Sequence, residues 1–292
     1  MTVMINLTKR NLKLFFRDRT SVFFSLLAIF IIIGLYVLFL GNMMVNNLKD
    51  LLGSNARFII NSWVMAGILS VTSITTTMGA FGTMVEDTTK KISKDFSSAP
   101  LKRSQLAGGY IMSSFIIGVI MSIVSLIVAE VYILANGGKL LELMSLLKLF
   151  GVMLLSVFAG SSMVFFIVSF FKSNSAYATA STVIGTLIGF LTGTYIPIGL
   201  WSLPSGVQTA IKIFPISHAA ALFRQIMMEA PMSTAFANAP VQAITGFKQT
   251  MGVVFYFGST ELSPIANILV LVATGVVFYV LAVIKISIKK KY

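Results

Sequence analysis

The sequence predicts an all-α integral membrane protein with six transmembrane helices and both termini on the inner side. An N-terminal amphipathic interface helix precedes the spans, and short re-entrant or interfacial outer helices separate spans five and six. Three observations carry this reading. Hydrophobic residues make up 57% of the 292 residues and charged ones only 11%, with a mean hydropathy of +0.92, so there is too little polar surface to cover a globule in water. Six apolar stretches reach the roughly 20 residues needed to cross a hydrocarbon core about 30 Å thick. Basic charge gathers on one side of those stretches, as the excess of Lys and Arg in inner segments requires.

The interface helix is expected over residues 4–19. Lys9, Arg10, Lys13 and Arg17 recur at three- and four-residue spacing on one face, and Met4, Ile5, Leu12, Phe15 and Phe16 fall opposite. Such a helix lies in the inner interface, apolar side in the acyl boundary and basic side toward anionic headgroups. The alternative is an ordinary positive flank that only fixes topology. Asp18 and Arg19 mark the turn into a bundle over residues 22–285. Its spans are expected at 22–40, 58–85, 107–134, 149–171, 176–198 and 265–284. The first reads as a retained span, because Phe39-Leu40-Gly41-Asn42 offers no small-x-small cleavage site and the apolar run exceeds a signal-peptide core.

The net charge of +13 would suggest nucleic acid in a soluble protein. Here it sorts by side. With both termini inside, fifteen of the 22 basic residues lie in inner segments: 9–19, 90–103, Lys172 and 285–291. The seven outer ones (Lys49, Arg57, Lys139, Lys148, Lys212, Arg224, Lys248) are nearly cancelled by Asp50, Glu130, Glu142, Glu229 and Glu261. The charge is a topology signal, and no nucleic acid is needed to explain it.

The inner loop over residues 86–105 holds two acid-first i,i+4 pairs, Glu86 with Lys90 and Asp87 with Lys91, the favoured order on a helix. Ile92 and Phe96 leave two apolar side chains on another face, Lys94 adds charge, and Pro100 stops the helix. A short charged helix with two apolar anchors is expected to dock on a partner; a solvated loop helix is the alternative. Lys172–Ser175 is too short for more than a turn that could touch the same partner. The outer connection over residues 199–263 is broken by proline. Pro204–Phe214 and Ser217–Glu229 are nonetheless apolar at helical spacing, with Ser217 a candidate cap.

Within the membrane, Gly185, Gly189 and Gly193 form a GxxxGxxxG run expected to pack closely against another helix, in this chain or a twin. The second span carries Ser62, Ser70, Thr72, Ser73, Thr75, Thr76, Thr77 and Thr83, either helix–helix glue or a mildly polar wall of a path. Ionisable residues at mid-span are nearly absent, which argues against an ion-coupled pump. No phosphate-binding GxxxxGK[ST] loop, HExxH or GxSxG is present. Cysteine is absent and His218 is the one histidine, so neither a metal site built on Cys or several His nor a nucleophilic triad is available. The chain is expected to be no enzyme and to bind no metal or cofactor itself.

The order of these features resembles the membrane subunit (permease) of the type-2 ABC transporter family. The resemblance runs from Asn11-Leu12-Lys13-Leu14-Phe15-Phe16-Arg17-Asp18-Arg19, through Glu86-Asp87 and Ser98-Ala99-Pro100-Leu101-Lys102-Arg103. It continues in Gly193-Thr194-Tyr195-Ile196-Pro197 and Leu203-Pro204, and ends in Phe214-Pro215-Ile216-Ser217-His218 and Leu222-Phe223-Arg224. The resemblance implies a single transmembrane domain over residues 1–292 that pairs with another permease, as a homodimer or with a related subunit, in a cell membrane of bacterial type. A separate ATPase carrying ATP and Mg would dock on it. Glu86, Asp87, Lys90, Lys91, Ile92, Lys94 and Phe96 would then be the docking residues, and Arg10, Lys13, Arg17 and Arg19 would belong to the interface helix. The apolar outer segments around Val207–Phe214 and Leu222–Met228 would form a lid over the exit. The implied function is export of an amphiphile: a drug, an antimicrobial peptide or a lipid-like molecule, in the manner of multidrug or antibiotic resistance. Export of lipid-linked polysaccharide, or a non-transporting immunity or sensor role, is the alternative.

Overall fold

The computed structural model describes residues 2–92, 103–199 and 203–288. They form helices α1 (Thr2–Arg17), α2 (Arg19–Leu35), α3 (Gly41–Leu52), α4 (Ala56–Thr89), α5 (Arg103–Ala135), α6 (Leu143–Val168) and α7 (Asn174–Leu191). Then follow α8 (Ser205–Ile213), α9 (Pro215–Met227), α10 (Glu229–Ala235), α11 (Val241–Thr250), a two-stranded hairpin β1 (Tyr256–Phe257) and β2 (Thr260–Glu261), and α12 (Pro264–Ile288).

Among the described residues, four helical stretches are long and apolar enough to cross a membrane: Arg19–Thr89, Ser104–Ala135, Leu143–Val168 and Pro264–Lys285. Six were expected, and the difference has two causes. The first two expected spans are joined without a break. A π-turn at Tyr36–Leu40 carries α2 into α3, so the helix does not stop at residue 40. The stretch of 71 residues would be over 100 Å long if straight. It doubles back instead at the 3-10 turn Gly53–Asn55, where Gly53 has φ +56°, a conformation glycine takes without steric cost. α2 and α3 then lie along α4. The fifth expected span, 176–198, ends as a helix at Leu191, and its 18 residues, with Asn174, Ser175, Thr179, Ser181, Thr182 and Thr186 among them, are less apolar than the other four stretches.

That early stop corrects the glycine run. Gly193 lies outside the helix with φ +61°, its N–H bonded to the Phe190 carbonyl and that of Thr194 to the Gly189 carbonyl. This is the Schellman pattern, which needs a left-handed residue that glycine supplies. Gly189 receives the Tyr195 ring instead of another helix, and an added Cβ would collide with it. Gly185 has nothing within 4 Å. Close helix contacts inside the chain come from other glycines. Gly160 of α6 meets the Ser73 carbonyl of α4, Gly118 of α5 meets Val157 and Thr77, and Gly275 of α12 meets Phe158.

α4 is the axis of the molecule. α2, α3, α5, α6, α7 and α9 all pack on it, and from Ile59 to Ile74 its side chains are buried. Its hydroxyls point into those contacts. Ser70, Thr72, Ser73, Thr76 and Thr77 are buried and bond carbonyls of their own helix three or four residues back, at 2.7–2.8 Å. The helix–helix role fits this placement, and the polar wall does not.

Two ends can be told apart. At one, here the α1 end, the last turns of α4 and the start of α7 meet through Thr89 Oγ1 and Asn174 Oδ1 at 3.3 Å, and α6 and α12 finish side by side with Lys285 Nζ 4.5 Å from the Phe170 ring centre. The far end is built from α8 to α11. Pro215 starts α9, so Ser217 is not its cap; its hydroxyl bonds the Leu191 carbonyl at 2.6 Å and closes the end of α7. α9 is also not a surface lid. Ile216 through Arg224 are buried between α4, α6 and α12, while α8 keeps Val207 and Ile213 exposed. His218 is packed there, Nδ1 2.7 Å from Asn267 Oδ1 with its ring edge-on to Phe255.

Candidate functional site

The α1 end gathers most of the residues singled out in the sequence. α1 does not lie apolar face outward along its length. Leu7, Thr8, Asn11 and Phe15 form its buried stripe, at helical spacing and half polar, and they face α5. Thr8 Oγ1, which donates to the Met4 carbonyl at 2.8 Å, lies 3.4 Å from the Gly109 carbonyl, and Asn11 Nδ2 donates to Ser113 Oγ at 3.2 Å. The approach is close because Gly108 and Gly109 carry no side chain. A Cβ on Gly109 would lie 2.5 Å from Leu7, and one on Gly108 would lie 2.9 Å from Met4 Sδ. This adjacent glycine pair was the sequence signal for α1 docking, and reasoning from α1 alone missed it. Of the five residues assigned to the apolar face, Phe15 is buried, Met4 and Leu12 are half-buried, and Ile5 and Phe16 are exposed.

Arg10 fixes the contact. Its Nη1 and Nη2 each donate to Asp87 at 2.7 Å, a two-point pairing of guanidinium and carboxylate, and Tyr110 Oη donates to Asp87 Oδ2 at 2.6 Å. One carboxylate thus joins α1, α4 and α5. The hydrogen bonds to Asp87 hold the Arg10 guanidinium above its usual value, against the opposing pull of burial. Asp87 is 2% exposed. It was expected on a docking surface paired with Lys91; it is turned inward instead, and Lys91, with φ +64°, has left the helix. The other expected pair is formed: Glu86 and Lys90 are exposed and 2.5 Å apart, which raises the Lys90 ammonium.

At the same end, lined by Glu86 next to the buried Asp87, lies a cleft of about 450 Å³. Arg17 and Asp18 contribute from the α1–α2 turn, Gly82 and Glu86 from α4, and Asn174 and Tyr177 from α7. The Tyr177 hydroxyl donates to the Met78 carbonyl, which pins α7 to α4. Asp18 caps α2, accepting from the N–H groups of Thr20 and Ser21 and from the Ser21 hydroxyl at 2.7 Å; these bonds, the hydroxyl first, hold its carboxyl below the usual range. The structure therefore brings together Arg17, Glu86 and the 172–175 turn, which the sequence placed in three separate segments.

The exposed charge of this end is strongly basic. Lys9, Lys13, Arg17, Arg19, Lys90, Lys91 and Lys172 are exposed, against exposed Asp18 and Glu86. Ile92 is half-buried. Lys94 and Phe96 lie outside the described residues. Among the described residues the exposed charge of this face is predominantly positive.

At the far end the notable residue is Arg224, with no exposure at all. Its Nη2 donates to the Gly193 carbonyl at 2.7 Å and the Thr192 carbonyl at 3.3 Å, and Nη1 to the Gly252 carbonyl at 3.3 Å. The guanidinium carbon lies 4.9 Å from the Trp63 ring centre. Carbonyls at the end of α7 are the negative pole of that helix, so they serve in place of a carboxylate. The sequence offered Arg224 only as part of a motif, and its role in closing α7 was not legible.

Comparison with known proteins gave one family match. The profile described as ABC-2 family transporter protein covers residues 43–284. No curated protein matches the sequence.

Proposed function

Because the chain belongs to the ABC-2 family of transporter proteins, and so is the integral-membrane permease part of an ABC transporter, we propose that it is the permease of an ATP-driven exporter for amphiphilic molecules. Family membership implies a partner ATPase, and the permease itself is a transport subunit. In this reading the chain crosses the membrane six times with the α1 end in the cytoplasm, the side to which the fifteen basic residues are assigned. The ATPase, carrying ATP and Mg, seats on the face around Arg17, Glu86, Lys90 and Asn174.

The observation that carries the proposal is the Arg10–Asp87–Tyr110 triad. A docking helix that only floated in the lipid interface would absorb a push. α1 is fixed to α4 and α5 by a part-buried two-point ion pair and by the glycine contact at Gly109. Movement of a partner bound to α1 is therefore delivered to α4, the helix on which most others rest. The path is assigned to the outer face of α7. Thr179, Thr182 and Thr186 are exposed along it, each bonded to a carbonyl four residues back, beside exposed Val183, Leu187 and Phe190. Hydroxyls beside apolar side chains suit a molecule with both characters. A second copy facing this surface would close the path, and Gly185 leaves room for its approach.

Coexpression with candidate ATPases, co-purification, and ATP-driven uptake of a fluorescent amphiphile into inverted vesicles test the proposal. Binding of an ATPase and uptake that stops without ATP are expected. A chain that binds none, or uptake indifferent to ATP, would instead support a non-transporting membrane role.

A further inference from the structure

A second cleft, of about 830 Å³, opens at the far end. It falls within the roughly 300–1,000 Å³ range of small-ligand sites. Its wall is apolar and largely buried, with Val152 of α6, Met232 of α10 and Val254 among its members. It opens between the first turns of α6 and α12, at exposed Lys148, Pro264 and Ile268, and along α10 at exposed Glu229 and Ser233. α6 and α12 are membrane-crossing by length and composition. The mouth between them therefore faces sideways into the headgroup region, and exposed Leu147, Ile265 and Leu269 beside it suit contact with lipid.

The charges are unbalanced. Lys148 and Lys248 line the cleft, and Glu229 is the one acid there. Among the described residues none of the three is in an ion pair, since the two pairs found are Arg10–Asp87 and Lys90–Glu86. Arg224 belongs to the buried wall. It too has no carboxylate within ion-pair distance, and its Nε, fully buried, donates to nothing. A desolvated guanidinium met by carbonyls and the Trp63 ring, with no carboxylate, leaves a positive potential in a low-dielectric cavity. Long lysine side chains near a helix end reach up to the headgroup level and hold anionic lipid there.

We propose that this cleft binds an anionic phospholipid from the leaflet opposite α1, its headgroup between Lys148 and Lys248 and an acyl chain against the wall of Val152, Met232 and Val254. An apolar chamber with a lateral mouth excludes a free inorganic anion, which would have to shed its water against hydrocarbon. The positive potential selects phosphatidylglycerol over the zwitterionic phosphatidylcholine. The inference depends on the chain lying in a membrane and is independent of whether it exports anything.

The test reconstitutes the full chain in nanodiscs of equal phosphatidylglycerol and phosphatidylcholine, followed by native mass spectrometry of retained lipid. The wild type is expected to retain the anionic lipid in at least fivefold excess. Lys148→Gln with Lys248→Gln should bring the ratio close to one; Lys148 is exposed and Lys248 half-buried, and thermal unfolding of the double variant confirms that it folds. Lys139→Gln, an exposed lysine at the same end but outside the cleft, should leave the ratio unchanged. Ile226→Trp, which fills the cleft, should remove the tightly held lipid altogether, with thermal unfolding recorded to confirm folding. Equal retention of both lipids by the wild type, an undiminished ratio in the double lysine variant, or an equal drop in the Lys139 control would overturn the proposal.

Discussion

At the scale of single residues, Glu86 and Asp87 are neighbours with opposite duties. Glu86 is exposed and pairs within its helix; Asp87 is buried and pairs with residues 77 and 23 positions away. The first relation follows from an i,i+4 rule and is legible in the sequence. The second depends on which helices meet, so local spacing could not reveal it. Asp87→Asn should cost roughly 2–3 kcal/mol, less than the 3–5 of a fully buried pair because Arg10 keeps some solvent contact. Glu86→Gln should stay within about 0.5 kcal/mol. Thermal unfolding in detergent separates the two; equal effects would contradict the inward placement of Asp87. Asp18→Ala should remove about 1 kcal/mol of helix capping. Because the folded protein holds the Asp18 carboxyl below its ordinary value, that contribution is complete above the ordinary carboxylate pKa and fades as pH falls through the lowered one. The difference in melting temperature between wild type and variant should therefore shrink on acidification, and a gap that grows would reverse the assignment.

At the scale of elements, hydrophobic runs located the helices well, because burial in lipid demands a minimum apolar length. Their ends were harder. The α7 end is set by a left-handed glycine and by Ser217 and Arg224 arriving from α9, which hydropathy does not register. Gly193→Ala should destabilise by about 1–2 kcal/mol, from the positive φ and from Ile198 lying 2.8 Å from the new Cβ. The amphipathic character of α1 was also visible, but its orientation was not, since the partner surface is made by glycines whose importance lies in what they lack. Gly109→Val should push α1 off α5. Trypsin would then cut after Lys9 or Arg10 at least tenfold faster than in the wild type, and unchanged cleavage would mean that α1 is held elsewhere.

At the scale of the whole molecule, charge distribution and helix packing point to the same division of labour, with a basic α1 end and a far end where backbone carbonyls and apolar walls dominate. Reversing Lys13 and Arg17 to Glu should abolish recovery of a partner ATPase while leaving membrane insertion and melting temperature unchanged, since both side chains are exposed. Binding by the wild type should also weaken as salt rises, because exposed pairs are screened. Recovery of the ATPase at wild-type levels from the double variant would move the docking face away from α1.

The ion pair between Arg10 and Asp87 also imposes an order on biogenesis. α1 is made before α4 and α5, yet its carboxylate partner is 77 residues from Arg10 and its glycine contact 101 residues from Thr8. At translation rates of about 5–20 residues per second, α1 waits roughly 5–20 s for α5 to be synthesised. During that interval the Arg10 guanidinium lacks its Asp87 partner. The contacts that hold α1 on α4 and α5 therefore form only after those helices exist. A nascent chain arrested before Gly109 should therefore leave α1 open to trypsin, and one arrested well beyond α5 should protect it.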